Sequence, residues 1–136
     1  TNSYIQDEVT GFTMTGRNAF DQLGKWDSTA SGDSIASGDV NGDGYHDVIM
    51  GAPVGDGLTG DDAGEVHVVF GKASGLASMS VLFINGVNGF TLYGIENQDQ
   101  AGNSVASGDY NGDGIDDIII GAHQSGGENN QLSKAG

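Results

Sequence analysis

The chain has 136 residues, with 19 acidic side chains against four basic ones, a formal net charge of −15 and no cysteine. Phosphate binding needs clustered Lys and Arg, so this charge argues against nucleic acid as a partner, and the lack of cysteine excludes disulfides and thiolate metal sites. Because no apolar run approaches the roughly 20 residues of a membrane span, we expect one domain without membrane insertion.

Short predicted strands, separated by turns rich in Gly, Asp and Asn, follow one another along the whole chain. Glu65 and His67 alternate with apolar neighbours, which is typical of a strand with one buried face. The apolar runs 48–50 and 118–120 are typical of strands covered on both faces. No segment predicts a helix. In chain order, the predicted strands are 12–15, 34–38, 47–51, 65–71, 81–84, 90–93, 104–108 and 117–121.

Two copies of one sequence unit organise the chain. Residues 34–52 align without gaps to residues 104–122, and 13 of these 19 positions are identical at an offset of 70. Gly11-Phe-Thr matches Gly89-Phe-Thr at an offset of 78, so the first copy carries an eight-residue insertion around Lys25–Gly32. We place the first repeat at about 11–78 and the second at about 79–136.

Four short strands per repeat, with faces that need neighbours to cover them, predict an all-β fold of β-propeller blades. The motifs resemble FG-GAP repeats, the blade units of the integrin α-subunit head and of many bacterial surface proteins. Phe70-Gly71 and Gly51-Ala52-Pro53 carry the resemblance, and the second copy keeps Gly121-Ala122 but has His123 in place of the proline. The resemblance implies a propeller of about seven blades, of which this chain would hold about two, in an extracellular or cell-surface, bacterial protein.

The two ends of the chain fall inside repeats. Thr1–Ile5 align with the lead-in Met79–Phe83, and the second copy stops before the counterpart of strand 65–71. A ring of blades cannot cap itself in this way. We therefore expect the chain to associate with the rest of a parent propeller, or, as the alternative, with other copies of itself.

Each repeat also contains an Asp-x-Asn-x-Asp-Gly-x-x-Asp loop. Alternate spacing puts several oxygens on one side of a tight turn, and Ca²⁺ takes six to eight oxygen ligands at about 2.3–2.6 Å. Oxygen-only ligation argues against zinc and copper, and the large number of ligands argues against magnesium. We predict two structural Ca²⁺ ions per chain. Their ligands are the side chains of Asp39, Asn41, Asp43 and Asp47 with the carbonyl of Tyr45, and those of Asp109, Asn111, Asp113 and Asp117 with the carbonyl of Ile115.

The same loops have two other interpretations. An EF-hand would need Glu at position 12 and flanking helices, whereas Met50 and Ile120 occupy that position inside predicted strands. A metal-free Asp/Asn/Gly hairpin turn is the alternative. The repetition of all four side-chain ligands in both copies favours metal.

No other motif predicts catalysis. Gly55–Gly60 fits G-x-G-x-x-G, but acids and a predicted strand follow it, where a dinucleotide site needs a helix. His46, His67 and His123 are far apart in the repeat, and no serine lies in a nucleophile elbow. Trp26, in the insertion, either covers a blade edge or provides a stacking surface for a sugar or protein.

These patterns favour a calcium-binding propeller segment that acts in adhesion or in binding a protein or glycan ligand. One alternative is a calcium-stabilised accessory module of a secreted hydrolase or lyase whose active site lies elsewhere. A second is a structural spacer in a repeat array. We expect no enzyme activity within these residues.

Overall fold

The computed structural model describes residues 11–18, 21–24, 34–56 and 62–122. Within these ranges the regular structure is β, apart from one 3-10 turn at Val81–Phe83, and no helix is long and apolar enough to cross a membrane. The all-β prediction is confirmed. The strands are β1 (Met14–Thr15), β2 (Ile35–Gly38), β3 (Asp47–Ala52), β4 (Glu65–Val69), β5 (Met79–Ser80), β6 (Gly89–Tyr93), β7 (Ala101–Gly108) and β8 (Asp117–Ala122).

Some features singled out in the sequence lie outside the described residues. They include both chain ends, Trp26, His123 and most of the Gly55–Gly60 loop.

The predicted strand 81–84 is wrong. Met79 and Ser80 form a two-residue strand, after which the chain turns, because the Oγ of Ser80 accepts a hydrogen bond from the backbone N–H of Leu82 at 3.3 Å. The side chains of Leu82 and Phe83 are exposed. Apolar, β-prone residues suggested a strand here, but strand propensity depends on having a sheet surface to pack against.

One complete blade is an antiparallel sheet in the order β2-β3-β4-β6. Its outer strand, β6, carries the Gly-Phe-Thr motif of the second sequence repeat, and it pairs with β4 so that Phe90 lies opposite Val68. The complete blade therefore takes its first three strands from the first repeat and its fourth strand from the second.

The second sheet contains β7 and β8, which pair antiparallel with Val105 opposite Ile120. Within the described part of the chain, β8 has β7 as its single strand partner. This sheet is the first half of the next blade. A separate short parallel pair joins β1 to β5, with Met14 opposite Met79.

The core lies between the complete blade and the β7–β8 sheet. Ile49, Val66 and Val68 are fully buried, and each buried side chain of this size stabilises the fold by about 1.5–3 kcal/mol. They pack against partly buried apolar residues of both sheets: Ala36, Val40, Phe70, Phe90, Val105, Ile118 and Ile120.

The strand β4 is buried on both faces, so the prediction of one exposed polar face is wrong. Glu65 and His67 are as buried as the neighbouring valines of the strand. They lie within ion-pair distance of one another, since His67 Nε2 is 3.2 Å from Glu65 Oε2, and the Nδ1 of His67 is 3.0 Å from the hydroxyl of Thr91. Burial of polar groups is tolerated when they are paired in this way.

The prediction that both faces of the strand are buried is confirmed for β3 but not for β8. Ile49 in β3 is fully buried, whereas its repeat counterpart, Ile119, is 49% exposed. The reason is geometric: residues of the β7–β8 sheet pack against the core cluster that contains Ile49, whereas the corresponding face of β8 stays partly exposed among the described residues.

Candidate metal centres in two Asp-rich loops

The two predicted loops occupy equivalent places in the two sheets. The first joins β2 to β3 and the second joins β7 to β8, each as the turn of an antiparallel hairpin. Gly38 pairs with Asp47 in one hairpin, and Gly108 pairs with Asp117 in the other. The last predicted side-chain ligand of each loop is therefore the first residue of a strand.

Side-chain oxygens fold the first loop by accepting backbone hydrogen bonds. Asp39 accepts from the N–H of Asp43 through Oδ1 at 3.0 Å, and from the N–H of Gly44 through Oδ2 at 2.8 Å. The Oδ1 of Asn41 accepts from the same Asp43 N–H at 3.0 Å. Asp43 in turn accepts from the N–H of Tyr45 at 2.9 Å. Gly44 has a φ of 88°, a conformation that favours glycine.

The second loop repeats this arrangement. Every bond from a backbone N–H to Asp39, Asn41 or Asp43 has a counterpart 70 residues later. The counterparts are Asp113 N–H to Asp109 Oδ1 at 3.0 Å, Gly114 N–H to Asp109 Oδ2 at 2.8 Å, Asp113 N–H to Asn111 Oδ1 at 2.9 Å and Ile115 N–H to Asp113 Oδ1 at 2.9 Å. The sequence pattern thus specifies one local structure twice.

The third acid of the first loop, Asp47, is turned into the blade. It is fully buried, with Oδ2 accepting from the N–H of Val40 at 2.9 Å and Oδ1 from the N–H of Gly71 at 2.8 Å. A Cβ on Gly71 would lie 2.2 Å from the carbonyl oxygen of His46, so only glycine fits there. The Phe-Gly motif therefore serves to hold the loop onto the end of β4. In the second loop, Asp117 accepts from the N–H of Tyr110 at 3.1 Å.

The aspartates do not converge on one point. Among the described residues, no group of three or more His, Cys, Asp or Glu side chains is close enough to hold a metal ion. The structure brings Asp39 and Asn41 together on the N–H of Asp43, and it places Asp47 on the strand. The turn is thus formed by hydrogen bonds, with the carboxylates directed at backbone amides.

In the described structure, no basic side chain neutralises the negative charge of the carboxylates in either loop. Within the described ranges, no Lys, Arg or His pairs with an acid of either loop. The backbone N–H groups, led by that of Gly114, hold the pKa of Asp109 below its ordinary value because they favour the charged carboxylate, against a smaller opposing effect of desolvation.

The donor set fits a hard divalent cation. A carboxylate offers about four lone-pair directions over its two oxygens, so a carboxylate that accepts two or three N–H bonds keeps the capacity to bind metal. Carboxylate, amide and carbonyl oxygens are the ligands that Ca²⁺ prefers. The chemistry of the residues therefore agrees with the predicted ligands, although the carboxylates of the described loops do not converge on one point.

One residue of the site was missed by the sequence analysis. Asp116 accepts a hydrogen bond from the backbone N–H of Asp39 through Oδ2 at 2.9 Å and donates its own N–H to the carbonyl oxygen of Asp39 at 3.0 Å. The signal was present as a difference between the two copies, because His46 stands at the equivalent position of the first loop.

Comparison with known proteins agrees with the fold. The FG-GAP repeat family matches residues 31–69 and 101–133, which together make up more than half of the chain. Phosphatidylinositol-glycan-specific phospholipase D from Bos taurus is 32% identical over 74% of this chain, and that from Dictyostelium discoideum is 34% identical over 96% of it. The chain spans 12% and 14% of the length of these relatives. The chain belongs to the FG-GAP repeat family.

Proposed function

We propose that this chain is a calcium-stabilised β-propeller segment of a larger extracellular protein, and that the propeller acts in binding or adhesion. The observation that carries the calcium assignment is the duplicated loop. Two hairpins with different neighbours share the same side-chain-to-backbone hydrogen bonds around three acids, and no basic side chain neutralises them among the described residues.

The proposed role of the cation is structural. Bound Ca²⁺ would neutralise the crowded carboxylates of each loop. Asp39 and Asp43, with Asn41 and the carbonyl of Tyr45, would hold it on the exposed turn, and Asp47 would join the ligands from the start of β3. The corresponding residues of the second loop are Asp109, Asn111, Asp113, Ile115 and Asp117. The ion would thereby hold together the loop of the first hairpin in each blade.

Binding of a protein or glycan ligand is proposed on the basis of the family. Propellers built from these repeats resemble the integrin α-subunit head, and the acidic composition of this chain disfavours nucleic acid. An extracellular location agrees with calcium as the stabilising ion. Bacterial origin stays a prediction, since the relatives named above are from eukaryotes.

A second candidate function is favoured by the relatives. Three of them, including one from Rattus norvegicus, are a phospholipase D by name, and this chain matches 10–14% of their length. The chain would then be an accessory module of a hydrolase whose active site lies in other parts of the protein. Phospholipase assays and a glycan and peptide binding screen on the intact protein distinguish the two candidates.

Calorimetric titration of the metal-stripped chain tests the calcium assignment. We expect about two Ca²⁺ sites per chain, because the two loops carry the same donor set. Asp43→Ala and Asp113→Ala should each remove one site, and Asp56→Ala, at an exposed acid outside both loops, should remove neither. Fewer than one site per chain would show that the loops are metal-free turns, and tighter binding of Mg²⁺ than of Ca²⁺ would overturn the calcium assignment.

A further inference from the structure

The two loops are in direct contact through Asp116 and Asp39. Asp116 holds both backbone groups of Asp39, because its carboxylate accepts the N–H at 2.9 Å and its own N–H donates to the carbonyl oxygen at 3.0 Å. Asp39 is the first predicted ligand of one loop. Asp116 lies between Ile115 and Asp117, which are predicted ligands of the other.

The surrounding contacts leave little room for one loop to move alone. The hydroxyl of Ser107 donates to the carbonyl oxygen of Ser37 at 2.8 Å, two residues before Asp39. A Cβ on Gly38 would lie 2.5 Å from Asp116 Oδ2 and 2.8 Å from Ser107 Oγ, so the backbone at Gly38 packs against these two side chains as closely as glycine allows. A shift of Asp116 is therefore transmitted to Asp39.

We propose that Asp116 is a positioning residue that couples the two loops, so that Ca²⁺ bound in either loop strengthens binding in the other. This inference rests on the proposed calcium function. A cation held by Ile115 and Asp117 would fix Asp116 between them, and Asp116 would fix the peptide that carries the Asp39 carboxylate. Because coupling between two sites is reciprocal, the same factor applies in both directions.

The test measures the Ca²⁺ affinity of the first loop by calorimetry, with the second loop intact or disabled by Asp113→Ala. We expect disabling the second loop to weaken binding in the first by about fivefold or more, the range typical of coupled sites. After Asp116→Ala, disabling the second loop should change that affinity by less than about twofold. Asp116→Asn keeps the acceptor oxygen and removes the charge, so it should retain the coupling.

The outcomes of this experiment distinguish failure of the coupling from failure of the calcium function. Two calcium sites that bind independently, or that weaken one another as repelling cations would, overturn the coupling and leave the calcium function intact. Absence of calcium binding in every variant overturns both proposals. Loss of coupling in Asp116→Asn as well as in Asp116→Ala would show that charge, and not the hydrogen bond, connects the loops, and would overturn the positioning role.

Two more measurements keep the proposal testable if one of these variants folds poorly. Ser107→Ala removes only the neighbouring link to Ser37, and we expect it to reduce the coupling partially. Amide hydrogen exchange in chelator needs no metal: the N–H of Asp39 should exchange faster in Asp116→Ala than in Asp116→Asn. Equal exchange rates in these two variants would contradict the proposed contact.

Discussion

Arg17 Nη1 lies 3.0 Å from Oε1 of Glu65, whose side chain is 2% exposed. Arg17 follows β1, so this ion pair joins a segment outside the four-stranded sheet to one of its central strands. His67 contacts the second oxygen of the same carboxylate. A carboxylate this deeply buried depends on such partners, because an isolated charge in the interior is strongly unfavourable.

Removing Arg17 should therefore destabilise the fold. We expect Arg17→Met to lower the free energy of unfolding by about 1–2 kcal/mol, less than the 3–5 kcal/mol typical of a broken buried pair, because Arg17 is 35% exposed and solvent screens it. Urea denaturation measures the change. Adding Glu65→Gln should recover part of it, since no uncompensated charge then remains, and the exposed Lys72→Met is the control. A loss equal to that of the control would mean that the ion pair is not stabilising.

Gly38 and Gly108 occupy equivalent positions before the two loops, but we expect them to differ in how well they tolerate substitution by alanine. A Cβ at Gly38 would meet Asp116 at 2.5 Å, whereas a Cβ at Gly108 would meet nothing closer than 3.6 Å. We expect Gly38→Ala to cost about 1–3 kcal/mol of stability and Gly108→Ala to stay within about 0.5 kcal/mol of the wild type. Thermal denaturation of the two variants checks this, and equal melting temperatures would contradict the close contact between the loops.

Calcium should raise the melting temperature, because a ligand that binds the folded state preferentially stabilises it. At a hundredfold excess over Kd, each independent site adds roughly 2.7 kcal/mol. Asp43→Ala and Asp113→Ala should each remove about half of the rise, or more if the loops are coupled. The measurement is calorimetric melting in calcium and in chelator. Identical curves in the two buffers would contradict a structural role for the ion.

The exposed face and the unpaired edge of β8 should make the chain associate with other copies of itself. Ile119 is 49% exposed, and within the described residues the edge of β8 that faces away from β7 has no strand partner. Such an edge pairs readily with another strand. At tens of micromolar in calcium, we expect sedimentation velocity to detect species larger than a monomer. Ile119→Lys should shift the population toward monomer.

The matched control for this experiment is Ile95→Lys, since Ile95 is an exposed apolar residue in a loop. It should leave the association unchanged. A single monodisperse monomer of the unmodified chain would show that β8 is protected from pairing.

The sequence by itself determined the local structure. Turn chemistry acts over a few residues, so the spacing of Asp39, Asn41 and Asp43 was enough to predict a tight turn between two strands, and the copy at an offset of 70 predicted the same turn again. Repetition also indicated the propeller, because each unit has faces that only a neighbouring unit can cover.

The tertiary structure decided what depends on residues far apart in the chain. Burial of Glu65 and His67 could not be read from their alternation with valine, since it arises from Arg17 and Thr91, which other segments supply. The strand 89–93 completes the preceding blade through pairing with β4, which no local pattern specifies. Asp116 contacts Asp39 across 77 residues, and such a contact exists only once two sheets have packed side by side.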